Sequence, residues 1–261
     1  MSDTHPMEER WPELKKAMET GGGQAVLDLI RTEQDPGQRL GLYSFAQGSF
    51  SVRDWKRKSF DAQIELVRGA MQDALKIADQ IRAGGDDEKA DRVADFANVL
   101  SYNLSADLAF CWPGDDRPRS KEHFEAGLAA AEECLYWRRI LKKSAAPFAM
   151  AWWAKGIHEL FLGRHDAALE SMQEAQETGR EASKDAGRST EIDADASFLF
   201  LINAGALALA ELCATQLKAQ EHYDLVIQAF VAQKQKRPAE AEDAQFGIDQ
   251  LELAKARLLT L

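Results

Sequence analysis

The stretch AMAWWAKGIHELFLGRHDAALESMQEAQE, residues 149–177, decides the fold of this chain. Pro147 suits the first turn of a helix, because its ring fixes φ and its missing N–H is not needed there. Gly163 is typical of a helix end, and Asp166 lies where the dipole of a second helix favours an acidic side chain. Two helices joined by about three residues pack antiparallel. The sequence therefore predicts a helix hairpin.

Trp152 and Gly156 are spaced on the first helix as in the pattern W-x2-L-G-x2-Y, and the small residues Ala168 and Ala175 follow on the second. The hairpin thus resembles a tetratricopeptide repeat. Four positions depart from the family pattern, namely Lys155 (for Leu), Glu159 (for Tyr), Met172 (for Phe) and Arg180 (for the closing Pro). The resemblance implies stacked hairpins whose first helices line a concave face that receives peptide segments.

The rest of the chain shows helical periodicity between turn signals. Further helices are predicted over residues 51 or 59 to 83, 87–112, 121–143, 192–216, 219–234 and 239–259. No sustained two-residue alternation indicates a strand. We predict an all-α array of about nine or ten helices in antiparallel hairpins.

Residues 1–50 are predicted to be an irregular N-terminal region with short helices, which a glycine run at residues 21–23 interrupts. This run lacks the Gly-Lys-Ser/Thr ending of a phosphate loop. Residues 51–261 form the predicted helical-repeat domain, and the two parts could also make one continuous domain.

Charge and length exclude several classes of partner. The chain has 261 residues and a formal net charge of −11, whereas nucleic acids and anionic membranes demand a basic surface. Residues 198–210, FLFLINAGALALA, are almost wholly apolar, but acidic residues bound this stretch at about 15 residues, short of the roughly 20 that span a bilayer. We expect a buried helix there, and neither a nucleic acid nor a membrane as the partner.

Cys111, Cys134 and Cys213 are far apart and have no metal-ligand spacing. The first eleven residues lack the apolar core of a signal peptide. These features predict a reducing, cytoplasmic location, with no disulfide, metal or cofactor.

No catalytic motif is visible in the sequence. His158 precedes Glu159, but the second His that a zincin helix needs is missing. We therefore assign no catalytic residue and no metal ligand.

The candidate binding residues follow from the resemblance, by their register with Gly156 and with the matching Gly205, except Asn98, which lies in a helical position similar to that of Asn203. They are Asn98, Met150, Trp153, Ile157, Phe161, Leu199 and Asn203. Asn98 and Asn203 interrupt apolar stretches, and each either holds a ligand backbone or bonds a neighbouring helix, since a buried amide needs a partner. We also expect Trp112, Trp137, Trp152 and Trp153 to meet near helix ends.

Three functions remain open at this point. The first is an adaptor that binds a peptide or partner helix on the apolar concave face. The second is an all-helical enzyme or small-molecule binder with a pocket near Trp153, His158 and Asn203. The third is a structural subunit that forms a homodimer. The N-terminal helices could also close the concave face.

Overall fold

A computed structural model describes residues 7–56 and 58–260, and within them the chain forms ten α-helices, two short 3-10 helices and no β-strand. The α-helices are α1 (Trp11–Arg31), α2 (Pro36–Val52), α3 (Phe60–Ala83), α4 (Asp87–Leu108), α5 (Lys121–Ile140), α6 (Ala145–Phe161), α7 (His165–Asp185), α8 (Phe198–Cys213), α9 (Ala219–Lys236) and α10 (Ala241–Leu258). The 3-10 helices are Glu8–Arg10 and Pro238–Glu240. The all-α prediction is confirmed. Residues 1–6 belong to the stretch in which the sequence shows no signal-peptide core, and they lie outside the described residues.

The chain divides into two compact units, unit 1 (Met1–Asp107) and unit 2 (Leu108–Leu261). Within unit 1, α1 and α2 both pack against α3. The domain boundary at residue 50 stays a prediction of the sequence.

The glycine run of α1 lies where this helix meets α3. The helix continues on both sides of the run, but Gly22 adopts φ 70° and ψ −159°, which kinks it. At Gly23 the two backbones come so close that a Cβ would lie 2.3 Å from the Ala62 carbonyl oxygen. The predicted interruption is therefore a kink inside one element, and the missing side chains allow the close packing.

Unit 2 contains the predicted hairpin, made of α6 and α7. Gly163 ends the first helix with φ 69°, and Gly156 makes room for Met172, whose Cε would lie 2.8 Å from an added Cβ. Next along the chain, α8 contacts both α6 and α7, and α10 contacts both α8 and α9. Each new first helix thus packs on both helices of the preceding hairpin, as in a helical-repeat array.

The predicted helix at 192–216 begins only at Phe198, because a loop precedes it. The Arg188 guanidinium holds this loop by donating to the carbonyls of Asp195 and Ala196 and to the Glu240 carboxylate, at 2.9–3.0 Å. Glu240 follows Arg188 by 52 residues. Because this contact is so distant in sequence, the local helical periodicity could not predict the loop. Ser197 caps α8 by accepting from the Phe200 N–H.

The apolar stretch at 198–210 belongs to α8, which is 16 residues long and buried along most of its length. Across residues 7–56 and 58–260, every helix is too short or too polar to cross a lipid bilayer.

The glycine contact in α1 generates a test of stability. We expect Gly23→Ala to lower the free energy of unfolding by about 1–3 kcal/mol, because its Cβ would meet backbone atoms that cannot move aside. Gly48, in α2 of the same unit, has no neighbour within 4 Å of an added Cβ. We expect Gly48→Ala to raise stability by about 0.5–1 kcal/mol. Urea unfolding of both variants measures the difference, and equal effects would contradict it.

Candidate functional site

Six of the seven candidate binding residues belong to unit 2, and Asn98 belongs to unit 1. Asn98 is buried on α4, where its Nδ2 donates to Asp95 Oδ1 at 3.0 Å. Met150 and Leu199 are half-buried. Exposed fractions of only 6%, 2% and 8% remain for the side chains that should line the concave face, which are Trp153, Ile157 and Phe161.

The face formed by α6 and α8 (the inner face) is covered within unit 2. The cavity left beside Trp153 has a volume of about 10 Å³, room for roughly one water molecule. Its lining residues are Cys111, Trp153, Ile157, Ile202, Ala206, Leu209, Gln250, Leu251 and Ala254. Hence α10 and the loop that follows α4 cover the inner face.

That loop, residues 108–120, is called the covering segment below. Its Trp112 ring lies 5.7 Å from the Trp153 ring and stacks on Phe246 of α10 at 6.2 Å. Its Phe110 ring lies 5.9 Å from Phe161. The segment therefore places two aromatic side chains against the residues that the sequence assigns to a binding face.

Arginine side chains hold the covering segment at its polar end. The Arg257 guanidinium of α10 lies 3.7 Å from the Phe110 ring centroid and donates to the Asp115 carbonyl and the Asp116 carboxylate, both at 2.9 Å. Arg119, whose side chain is fully buried, donates to the Asp115 carboxylate at 2.8 Å. Burial alone would raise the pKa of Asp115, but hydrogen bonds from Arg117 and Arg119 outweigh it and lower the pKa well below its usual range.

Asn203 of α8 joins three helices. Its Nδ2 donates to the Ala175 carbonyl of α7 at 2.8 Å and to the Ala149 carbonyl of α6 at 3.4 Å. Its Oδ1 has no hydrogen-bond partner among the described residues. Of the two interpretations left open by the sequence, these bonds match the contact with neighbouring helices.

The departures from the repeat pattern at Lys155 and Glu159 form one buried polar group with Ser171. Lys155 Nζ donates to Glu159 Oε1 at 2.5 Å and to Ser171 Oγ at 2.8 Å, and Ser171 Oγ donates to Glu159 Oε2 at 2.6 Å. This group joins α6 to α7 where an apolar Leu and a Tyr are usual. The departures thus carry a structural contact of the hairpin.

Only two of the four tryptophans predicted to meet are in ring contact among the described pairs, Trp112 and Trp153. Trp137 packs on its neighbour Tyr136, and Trp152 lies beside the cations Arg139 and Lys155. Neither His158 nor Asn203 lines the cavity at Trp153.

An apolar groove of unit 2 is open to solvent, and among its lining residues Phe161 is one of the seven candidate binding residues. It has a volume of about 590 Å³ and lies at the C-terminal ends of α6, α8 and α10. This end groove is lined by Leu160, Phe161, Leu162, Gly163, His165, Leu212, Cys213, Leu258 and Leu259. Its walls come from three helices that are far apart in sequence, so no local motif marks it.

No family model matches this chain. No curated protein and no solved structure matches it either. The fold and the geometry of unit 2 therefore carry the functional argument.

The buried polar group generates a second test. Glu159→Leu would leave the ammonium of Lys155, whose side chain is 19% exposed, without its carboxylate, so we expect a loss of about 3 kcal/mol in the free energy of unfolding. Replacing both partners, Lys155→Met with Glu159→Leu, should recover part of the loss, because no isolated charge remains, although the buried Ser171 hydroxyl loses both side-chain bonds.

The control is Lys121–Glu125, a pair of the same type and spacing in α5 with side chains 72% and 45% exposed. Glu125→Leu should change stability by less than about 0.5 kcal/mol. Urea unfolding gives all three values. A loss for the double variant as large as for Glu159→Leu would show that packing, and not the isolated charge, sets the cost.

Proposed function

We propose that this chain is a protein-interaction adaptor, and that unit 2 binds an apolar segment of a partner protein at the open end of its inner face, which is the end groove. The carrying observation is that this groove is open and apolar, while the rest of the inner face is filled by the chain's own side chains. We also propose a cytoplasmic location, as the three widely spaced cysteines of the sequence predict.

The shape of the end groove supports a polypeptide ligand. Its residues belong to three helix ends, so the groove runs across the array and can receive a segment longer than a single side chain. Half-buried leucines such as Leu212 and Leu258 form its edge, and apolar surface of this kind gains stability when a partner covers it. Leu259 beside them is 69% exposed, which adds apolar area available to the partner.

A display selection of random peptides against the intact protein tests this function. We expect enrichment of peptides with several apolar side chains, and we expect Leu212→Asp to weaken their binding by at least about tenfold. The carboxylate would enter an apolar contact and lose its hydration there.

Leu225→Asp is the matched control, because Leu225 is 47% exposed on α9 and does not line the end groove. It should bind the selected peptides like the wild type. If the selected peptides bind the Leu212→Asp variant as tightly as they bind the wild type, the proposal is contradicted. If no peptide is enriched and light scattering shows a dimer that Leu212→Asp dissociates, the groove is a contact between two copies of this chain.

A further inference from the structure

The covering segment has the contacts of a bound ligand. Phe110 and Trp112 lie against Phe161 and Trp153, which are two of the candidate binding residues. Gln250 Nε2 donates to the Cys111 thiol at 3.3 Å, between the two aromatic side chains. The segment thus offers the inner face two aromatic rings separated by one small side chain.

Apart from its first residue, the segment lies outside the helices, since α4 ends at Leu108 and α5 begins at Lys121. Its hold on the inner face comes from ring contacts and from the arginine contacts at Phe110, Asp115 and Asp116. Release of these contacts with the helices of unit 2 still folded would be a local opening. Local opening of this kind costs less free energy than global unfolding.

Release would also lengthen the open surface. Phe161 contacts Phe110 and at the same time lines the end groove. The end groove and the covered part of the inner face therefore share a wall. With the segment released, a partner in the end groove could extend its contacts to Trp153.

We infer that the covering segment is a built-in competitor for the inner face, and that a partner segment of the same chemistry replaces it. The partner segment would carry two aromatic side chains one residue apart, followed by an acidic residue for Arg257. This inference rests on the proposed function, because it concerns the same face. It adds a form of regulation. The apparent affinity for the partner is the intrinsic affinity multiplied by the fraction of molecules whose covering segment is released.

A labelled synthetic peptide of residues 108–120 is the probe, titrated by fluorescence anisotropy into the full chain. In the double variant Phe110→Ala with Trp112→Ala, the competing rings are gone, so the peptide should bind at least about tenfold more tightly than to the wild type. The same peptide with both aromatics replaced by Ala should bind neither protein. Tyr136→Ala is the matched control, because Tyr136 is an aromatic residue 55% exposed on α5, and it should behave as the wild type.

The inference is overturned if the double variant keeps its helical circular dichroism and a cooperative thermal transition but binds the peptide no more tightly than the wild type. If the double variant does not fold, hydrogen exchange of the wild type decides. Amides of residues 109–116 should then exchange at least about tenfold faster than buried amides of α6 and α8. Exchange of both groups at one common rate would show that the segment leaves only on global unfolding.

The two proposals fail separately. In one outcome, the selected peptides depend on Leu212 but the 108–120 peptide does not replace the covering segment. This result would support the adaptor function and overturn the inference of a built-in competitor. Binding of the 108–120 peptide to the double variant, without any Leu212-dependent peptide, would show an internal contact that can be rebuilt but no partner site in the end groove.

Discussion

The burial of the inner face is the constraint on which the rest of unit 2 depends. Helices α6 and α8 present Trp153, Ile157 and Ile202 on one side. Such an apolar face is stabilised when other apolar groups cover it and exclude water from it. Here α10 and the covering segment supply the cover, and the ring contact of Trp112 with Trp153 lies at its centre. The same contact explains why the face that resembles a peptide-binding groove is mostly filled.

Polar groups set the geometry of the apolar array. Asn203 ties α8 to the two helices before it, and Lys155 with Glu159 and Ser171 ties α6 to α7. Asn203, Glu159 and Ser171 are buried, so separating these helices would destabilise the fold, since a buried polar atom without a partner is costly. These bonds fix which helices are neighbours, whereas apolar packing alone tolerates several arrangements.

Much of the helical architecture could be predicted, and the candidate site could be predicted only in part. The hairpin of α6 and α7 was predicted because Gly156, Gly163 and the apolar residues spaced along α7, Met172 among them, all lie within one short stretch of sequence. For the face that carries Trp153 and Ile157, the sequence suggested the N-terminal helices as a possible cover and did not point to α10 or to the covering segment. The end groove was missed, because Leu212 and Leu258 come from helix ends that no periodicity connects.

The sequence by itself determined where most of the helices form, because helical periodicity, caps and glycines act over a few residues. It also determined that α6 and α8 would carry an apolar face. Only the tertiary structure decided what covers that face. The contact between Gln250 and Cys111, for example, joins residues 139 apart in the chain. Contacts over such distances depend on how all the intervening helices pack, and no local pattern records that.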